Sequence, residues 1–137
     1  MARAARTDEK WGPAAITAGF TLLPNHLIGL NQFVAEERHV TPTEMFVLLQ
    51  LLSAWWQAER LPFPSKATIA RRTGLSPRQI QRAMTGLEEK QYLRRVERYN
   101  EARGRMSNYY NLSGLVQAVT EAALAEPQAF RRRAKDQ

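Results

Sequence analysis

Four residues, Thr73-Gly74-Leu75-Ser76, leave room for one helix to stop and another to start, and for little else. Gly74 suits the left-handed position just past a helix end. Ser76-Pro77-Arg78-Gln79 is a capping box with proline at the first helical position, and Leu75 with Ile80 can close the hydrophobic staple around it. Upstream, Ser65 caps a short helix over Lys66–Arg72, with Ala67, Ile69 and Ala70 as its small apolar positions. Downstream, the spacing predicts a helix to about Gln91 that buries Ile80, Ala83, Met84 and Leu87. Two short helices joined by a glycine-containing turn of this length form a helix-turn-helix.

The flanking chain extends this unit. Thr41-Pro42-Thr43-Glu44 is a second capping box, with Val40 and Met45 as the staple. It predicts a helix to about Trp56. Met45, Leu48, Leu49, Leu52, Trp55 and Trp56 form its buried face, widened by Phe46, Val47 and Leu51. Asn25 is expected to open an earlier helix with Leu27, Ile28, Leu30 and Val34 as apolar positions, and Ile16–Leu23 reads as extended. Tyr92–Tyr99 and Ser107–Leu112 read as strands around the turn Asn100–Arg105, which contains Gly104. Ser113 is expected to cap a last helix with Leu115, Val116, Val119 and Ala123, stopped by Pro127. The fold class is therefore mainly α with a small β-hairpin wing, a winged helix-turn-helix. Residues 1–15 read as a flexible N-terminal arm, 16–125 as the winged domain and 126–137 as a basic C-terminal tail, disordered from Phe130 onward.

Charge is concentrated on this unit. The net charge is +7, and residues 66–105 hold eleven basic residues, nine of them arginine, against four acidic ones. That balance favours an acidic partner, and arginine forks onto phosphate and guanine better than lysine does. A basic surface kept only for solubility is the plain alternative. There is no cysteine, so disulfides and thiolate chemistry are absent. No apolar run reaches the ~20 residues of a membrane span, and nothing apolar follows the basic start as a secretory signal requires. A soluble cytoplasmic, nucleoid- or plasmid-associated protein without membrane contact is expected. His26 and His39 lack a ligand set, no phosphate loop or serine elbow occurs, and Glu36-Glu37 and Glu88-Glu89 read as solvated helix faces. Enzymatic activity, cofactors, metals and a small-molecule ligand are not expected.

The runs Phe63-Pro64-Ser65-Lys66-Ala67-Thr68-Ile69-Ala70, Thr73-Gly74-Leu75-Ser76, Ile80-Gln81-Arg82, Leu87-Glu88 and Tyr92-Leu93 resemble the winged-helix family of bacterial plasmid and phage replication-initiation proteins and related regulators. Ser107–Leu112 resembles that family's second wing strand, and Thr41–Trp56 the helix before its motif. The resemblance covers roughly residues 20–115. It implies double-stranded DNA as partner and a role in replication initiation or transcriptional regulation. One departure is Gln91, where the family often has glycine at the end of the recognition helix.

With Ile80 at zero degrees and a step of ~100° per residue, Arg78, Arg82 and Thr85 fall opposite the buried face, with Gln81 at its edge. Arg78, Gln79, Gln81 and Arg82 are the candidates for base readout in the major groove. Candidates for phosphate contact are Ser65, Lys66 and Ser76 at helix starts, Arg71 and Arg72, and Thr85. In the wing they are Arg94, Arg95 and Arg98 on the strand, Arg103 and Arg105 at the tip, and Asn108. For Arg71 and Arg72 the alternative is contact with their own helix end. Asn108 can instead serve the hairpin backbone. Strand alternation puts Arg94 and Arg95 on opposite faces. A winged helix that binds protein rather than DNA is the rival function. Two copies can pair as a homodimer through the Leu115, Val116 and Val119 face or through the Asn25–Glu37 helix, unless both pack on their own core.

Overall fold

The computed structural model describes residues 2–131. Its elements run α1 (Ala2–Trp11), α2 (Pro13–Ala18), α3 (Asn25–Ile28), two single-turn 3-10 helices (Leu30–Gln32 and Glu36–Arg38), α4 (Pro42–Ser53), α5 (Lys66–Thr73), α6 (Pro77–Glu89), β1 (Arg94–Asn100), β2 (Gly104–Asn111) and α7 (Ser113–Ala125). This is a winged helix-turn-helix: α5 and α6 are the motif and the antiparallel β1–β2 hairpin is the wing.

Both capping boxes form. Thr41 Oγ1 accepts from the Glu44 N–H at 3.1 Å while Glu44 Oε1 accepts from the Thr41 N–H at 2.9 Å. Ser76 and Gln79 repeat the arrangement at 3.1 and 2.9 Å. Gly74, at φ 76°, takes the left-handed turn, and Thr73 Oγ1 accepts the Leu75 N–H at 3.1 Å to fix it. Val47, Leu48 and Leu51 of α4, Ile69 of α5, and Ile80, Met84 and Leu87 of α6 are each fully buried and form the centre of the core. Val47 and Leu48 each meet Leu51 at a spacing of four or three, and Ile80, Met84 and Leu87 repeat it on α6, so burying them around Ile69 sets the crossing of the three helices.

The end of α6 is held by a polar clamp. Gln91 has φ 67°, and the Tyr92 N–H donates back across it to the Leu87 carbonyl at 3.0 Å. This is the wrap a glycine usually makes at a helix end. Arg38 Nε donates to the Lys90 carbonyl at 3.1 Å and its guanidinium lies 4.5 Å from the Tyr92 ring centre. The buried Tyr92 hydroxyl returns a hydrogen bond to the Arg38 carbonyl at 2.7 Å. Burial pushes the Tyr92 phenol above its ordinary pKa, so it stays a donor. The start of α7 packs on the same backbone: a Cβ on Gly114 would stand 1.9 Å from the Gln91 carbonyl oxygen.

Several expectations need correction. Ile16–Leu23 is not extended as a whole, because Pro13 at the first turn followed by Ala14 and Ala15 makes a helix to Ala18, stopped by Gly19. The segment read as a flexible N-terminal arm contains a helix over Ala2–Trp11. The Asn25 helix lasts one turn, breaks at Gly29 and resumes as 3-10; Leu27 and Leu30 are buried and Ile28 is exposed. α4 ends at Ser53, so Trp56 leaves the predicted buried face and stands 88% exposed; Phe46 is exposed too. α6 ends at Glu89 and the wing strand begins at Arg94, because the left-handed Gln91 and the buried pair Tyr92-Leu93 intervene. β2 starts earlier than predicted, at Gly104. Ser113 is the first residue of α7 rather than its cap; Asn111 Oδ1 accepts the Ser113 N–H at 2.9 Å instead. The buried positions of α7 are Leu115, Ala118 and Ala122, while Val116 is exposed and Ala123 partly so. Phe130, placed in the disordered tail, packs edge-on against Phe33 and His26. The rest of that tail, 132–137, lies outside the described residues.

The clamp predicts two glycine substitutions of opposite sign. Gly114→Ala should destabilise the fold by about 1–3 kcal/mol, because the clashing atom is backbone. Gln91→Gly should stabilise it by up to about 1 kcal/mol by removing a left-handed non-glycine residue. Urea unfolding midpoints at constant m-value check both.

Candidate nucleic-acid interface

The exposed surface of α6 is built by burying its other face. With Ile80, Ala83, Met84 and Leu87 against the body, Arg78 and Arg82 project outward, and their side chains make no hydrogen bond or ion pair among the described residues. Thr85 lies half-buried beside them, and Glu89 is exposed at the far end.

The two glutamines behave differently from free side chains. Gln79 Oε1 is occupied by the Ser76 N–H of the capping box. Gln81 Oε1 accepts from Lys66 Nζ, a short contact that joins the start of α5 to α6. Each keeps its Nε2 donors, while one of the two lone pairs of its Oε1 is already engaged. The bidentate contact of a glutamine with adenine requires both a donor and an acceptor. The first turns of α6 thus offer mainly donors, two guanidinium forks and two amide NH2 groups, with the Thr85 hydroxyl and the Glu89 carboxylate further along.

Around α6, Ser65 and Ser76 are spent as helix caps; Ser65 Oγ accepts the Thr68 N–H at 3.1 Å. Arg71 and Arg72, in the last turn of α5, are exposed and make no contact with their own helix end.

In the wing the arginines divide. Arg95 turns toward the body, where Glu88 receives it. Its backbone N–H donates to Oε2 at 3.0 Å and its Nε to Oε1 at 2.8 Å, with Nη2 closer still. Glu88 is therefore not the solvated residue expected of it, and Arg95 is not free for phosphate. Arg98 lies over the Phe63 ring at 4.2 Å and the Tyr109 ring at 5.1 Å, and Nη1 donates to Ser107 Oγ at 3.2 Å. Ser107 Oγ in turn donates to the Phe63 carbonyl at 3.2 Å, and the Tyr110 N–H to the Pro62 carbonyl at 3.0 Å. These contacts clip the loop before α5 to β2, which sets the distance from wing to motif. At the tip, Arg105 Nη2 donates to Asn108 Oδ1 at 2.6 Å and its Nε lies 3.8 Å from Glu97. Asn108 thus serves a side chain rather than the hairpin backbone. Arg94 and Arg103 are exposed with unengaged side chains. The register steps from Val96↔Tyr109 to Arg98↔Met106, so β2 carries an extra residue there, a bulge that bends the wing.

The sequence reading misses Arg38 and Glu44. Glu44 shows as a capping residue in sequence, but its bond to Lys90 at 2.6 Å spans two helices. Arg38 lies in a segment without periodicity, and no local pattern pairs it with Tyr92.

Residues 39–93 match the family model of a helix-turn-helix domain. No curated protein matches this chain. Among solved structures, the chain is similar to one described as a possible transcriptional regulator from Methanosarcina mazei Go1. That similarity has 14% identity and a TM-score of 0.47 over 78% of this chain and 87% of the other. Among the described residues no group of His, Cys, Asp or Glu could hold a metal ion, and no helix is long and apolar enough to cross a membrane.

The Glu88–Arg95 pair predicts a pH signature. Its hydrogen bonds with Arg95 hold the Glu88 carboxyl below the usual carboxylate range, against an opposing push from burial. A depressed native pKa stabilises above the unfolded pKa and is lost as pH falls through the native one. Glu88→Gln should therefore cost up to about 1 kcal/mol at neutral pH, the pair being partly exposed. The difference from the parent should shrink steadily below about pH 4.3. Denaturant titrations of both proteins across pH 3–7 check it.

Proposed function

We propose that this chain binds double-stranded DNA in a sequence-dependent manner, with the first turns of α6 in the major groove and the wing along the adjacent backbone. The observation that carries this reading is the outer face of α6. Arg78 and Arg82 stand there without side-chain partners among the described residues, on a helix whose opposite face and both ends are fixed. An arginine fork held on a rigid helix fits the O6 and N7 acceptors of guanine. The partial engagement of the Gln79 and Gln81 oxygens adds a finer expectation. Half-sites should be rich in major-groove acceptors, guanine above all, rather than in adenine contacted by glutamine.

Phosphate contact falls to the cations without internal partners: Arg71 and Arg72 beside the motif, Arg94 and Arg103 on the wing. Ser65 and Ser76 contribute through the backbone N–H groups of the helix starts they cap. Lys66, at the start of α5, is bonded to a neutral amide and has no carboxylate partner among the described residues. Arg95, Arg98 and Arg105 shape the wing. The biological setting we propose is transcriptional regulation or replication initiation of a bacterial mobile element. Tandem direct repeats in the bound DNA would mark an origin and an inverted repeat an operator. We further propose that the protein acts as a homodimer.

Two variants test the assignment by fluorescence anisotropy on a selected duplex and a random one. Arg82→Ala should lose about 1–3 kcal/mol on the selected duplex and much less on the random one; equal losses would remove it from base readout. Arg103→Ala should weaken both equally and reduce the slope of log affinity against log salt by about one. An unchanged slope would remove the wing tip from the phosphate contacts.

A further inference from the structure

On the molecule's surface an apolar cleft of about 580 Å³ opens between the segment Phe20–Pro24, the end of α4 and one face of α7. None of its lining residues is charged, although the chain carries a net charge of +7. Its rim is unusually bare: Trp56 is 88% exposed, Leu22 76%, Phe20 57% and Val116 44%. Trp56 is also held in place, its Nε1 donating to the Ser53 carbonyl at 2.8 Å.

We propose that this face is the contact between two copies of the chain, paired about a two-fold axis so that each copy's Trp56 covers the cleft of the other. Three observations select a second copy as the occupant. The first is charge. Two molecules of +7 repel, and they approach at least cost through a face that carries no charge. The second is area. A standard interface covers ~800 Å² per partner, about 65% of it apolar in homodimers. Trp56 and Phe20 alone expose roughly 300 Å² given the ~150–250 Å² such side chains carry, and Leu22 and Val116 add to it. A patch of that size exceeds what scattered surface residues explain. The third rests on the DNA-binding reading above. One copy offers two free guanidinium forks, which specify only a few base pairs. Discrimination against the roughly 10⁶–10⁹ competing sites of a genome needs more, and a second copy supplies a second half-site. A pre-oriented tryptophan suits the centre of such a contact, since little side-chain freedom is lost on docking.

Sedimentation velocity without DNA, over roughly 1–100 μM chain, tests this directly. The parent should run at twice the chain mass, and Trp56→Glu and Leu22→Glu should each raise the dissociation constant by about 30-fold or more. Both side chains are mainly exposed, so unchanged thermal midpoints at low concentration will show that folding is intact. Arg82→Ala, on the other face, should remain paired. A single-chain mass throughout, pairing that appears only on DNA, or a dimer insensitive to both substitutions would each overturn the proposal. The same samples with the selected duplex separate the two readings. A dimer that binds no duplex refutes DNA binding alone, and a monomer that binds duplex refutes this interface alone.

Discussion

Glu44 lies at the junction of α4 and α6, only 6% exposed, and three structural demands meet on its carboxylate. Oε1 accepts the Thr41 N–H, which starts α4, and also accepts Lys90 Nζ from the end of α6. Oε2 occupies the space a side chain at position 86 would take: a Cβ on Gly86 would stand 2.1 Å away. A buried carboxylate left without partners costs several kcal/mol, and removing one partner of a buried pair costs as much. The charge is tolerated because Oε1 is paired with Lys90 and bonded to the Thr41 N–H, and engaging it fixes how far α6 slides along α4. The Arg38–Tyr92 clamp then fixes the end of α6 from a second direction. Where the outward face of α6 points is a consequence of these contacts.

The same economy sorts the arginines. In a basic segment of this density most cations would repel one another in a loose wing. Instead Arg95 is neutralised by Glu88, Arg98 lies over the Phe63 and Tyr109 rings, which meet edge to face, and Arg105 is drawn to Asn108 and Glu97. Those contacts stiffen the hairpin and clip it to the loop that begins α5. Among the described residues, Arg71, Arg72, Arg78, Arg82, Arg94 and Arg103 of this segment make no side-chain hydrogen bond or ion pair and stand exposed. A rigid frame whose unengaged guanidinium groups stand on fixed elements loses little freedom on binding a regular polyanion.

Much of the fold is legible in the sequence wherever structure is set by local chemistry. Both capping boxes, the left-handed Gly74, the buried face of α6 and the hairpin turn at Gly104 follow from residue types at fixed offsets, and they are found as expected. The failures lie where local signals compete with the chain's path. Trp56 fits the spacing of a buried stripe, but α4 stops one turn earlier and leaves it in solvent. Gln91 gives no sign of a left-handed turn, because the wrap there is imposed by Arg38 and Gly114 from distant parts of the chain. The candidate site shows the same division. Charge and helical phase single out Arg78 and Arg82, whereas the tying of Arg95 to Glu88 and of Gln81 to Lys66 depends on which elements lie side by side.

In the proposed complex the start of α6 enters the major groove and meets guanine edges. Guanine N7 lies in that groove, so methylation interference on duplexes selected from a random library measures the contact at single bases. Methylation at one or two guanines per half-site should abolish binding by the parent protein, and the Arg82→Ala protein should become insensitive to one of them. Selected sequences without a shared guanine, or binding untouched by N7 methylation, would contradict the placement of α6 in the groove.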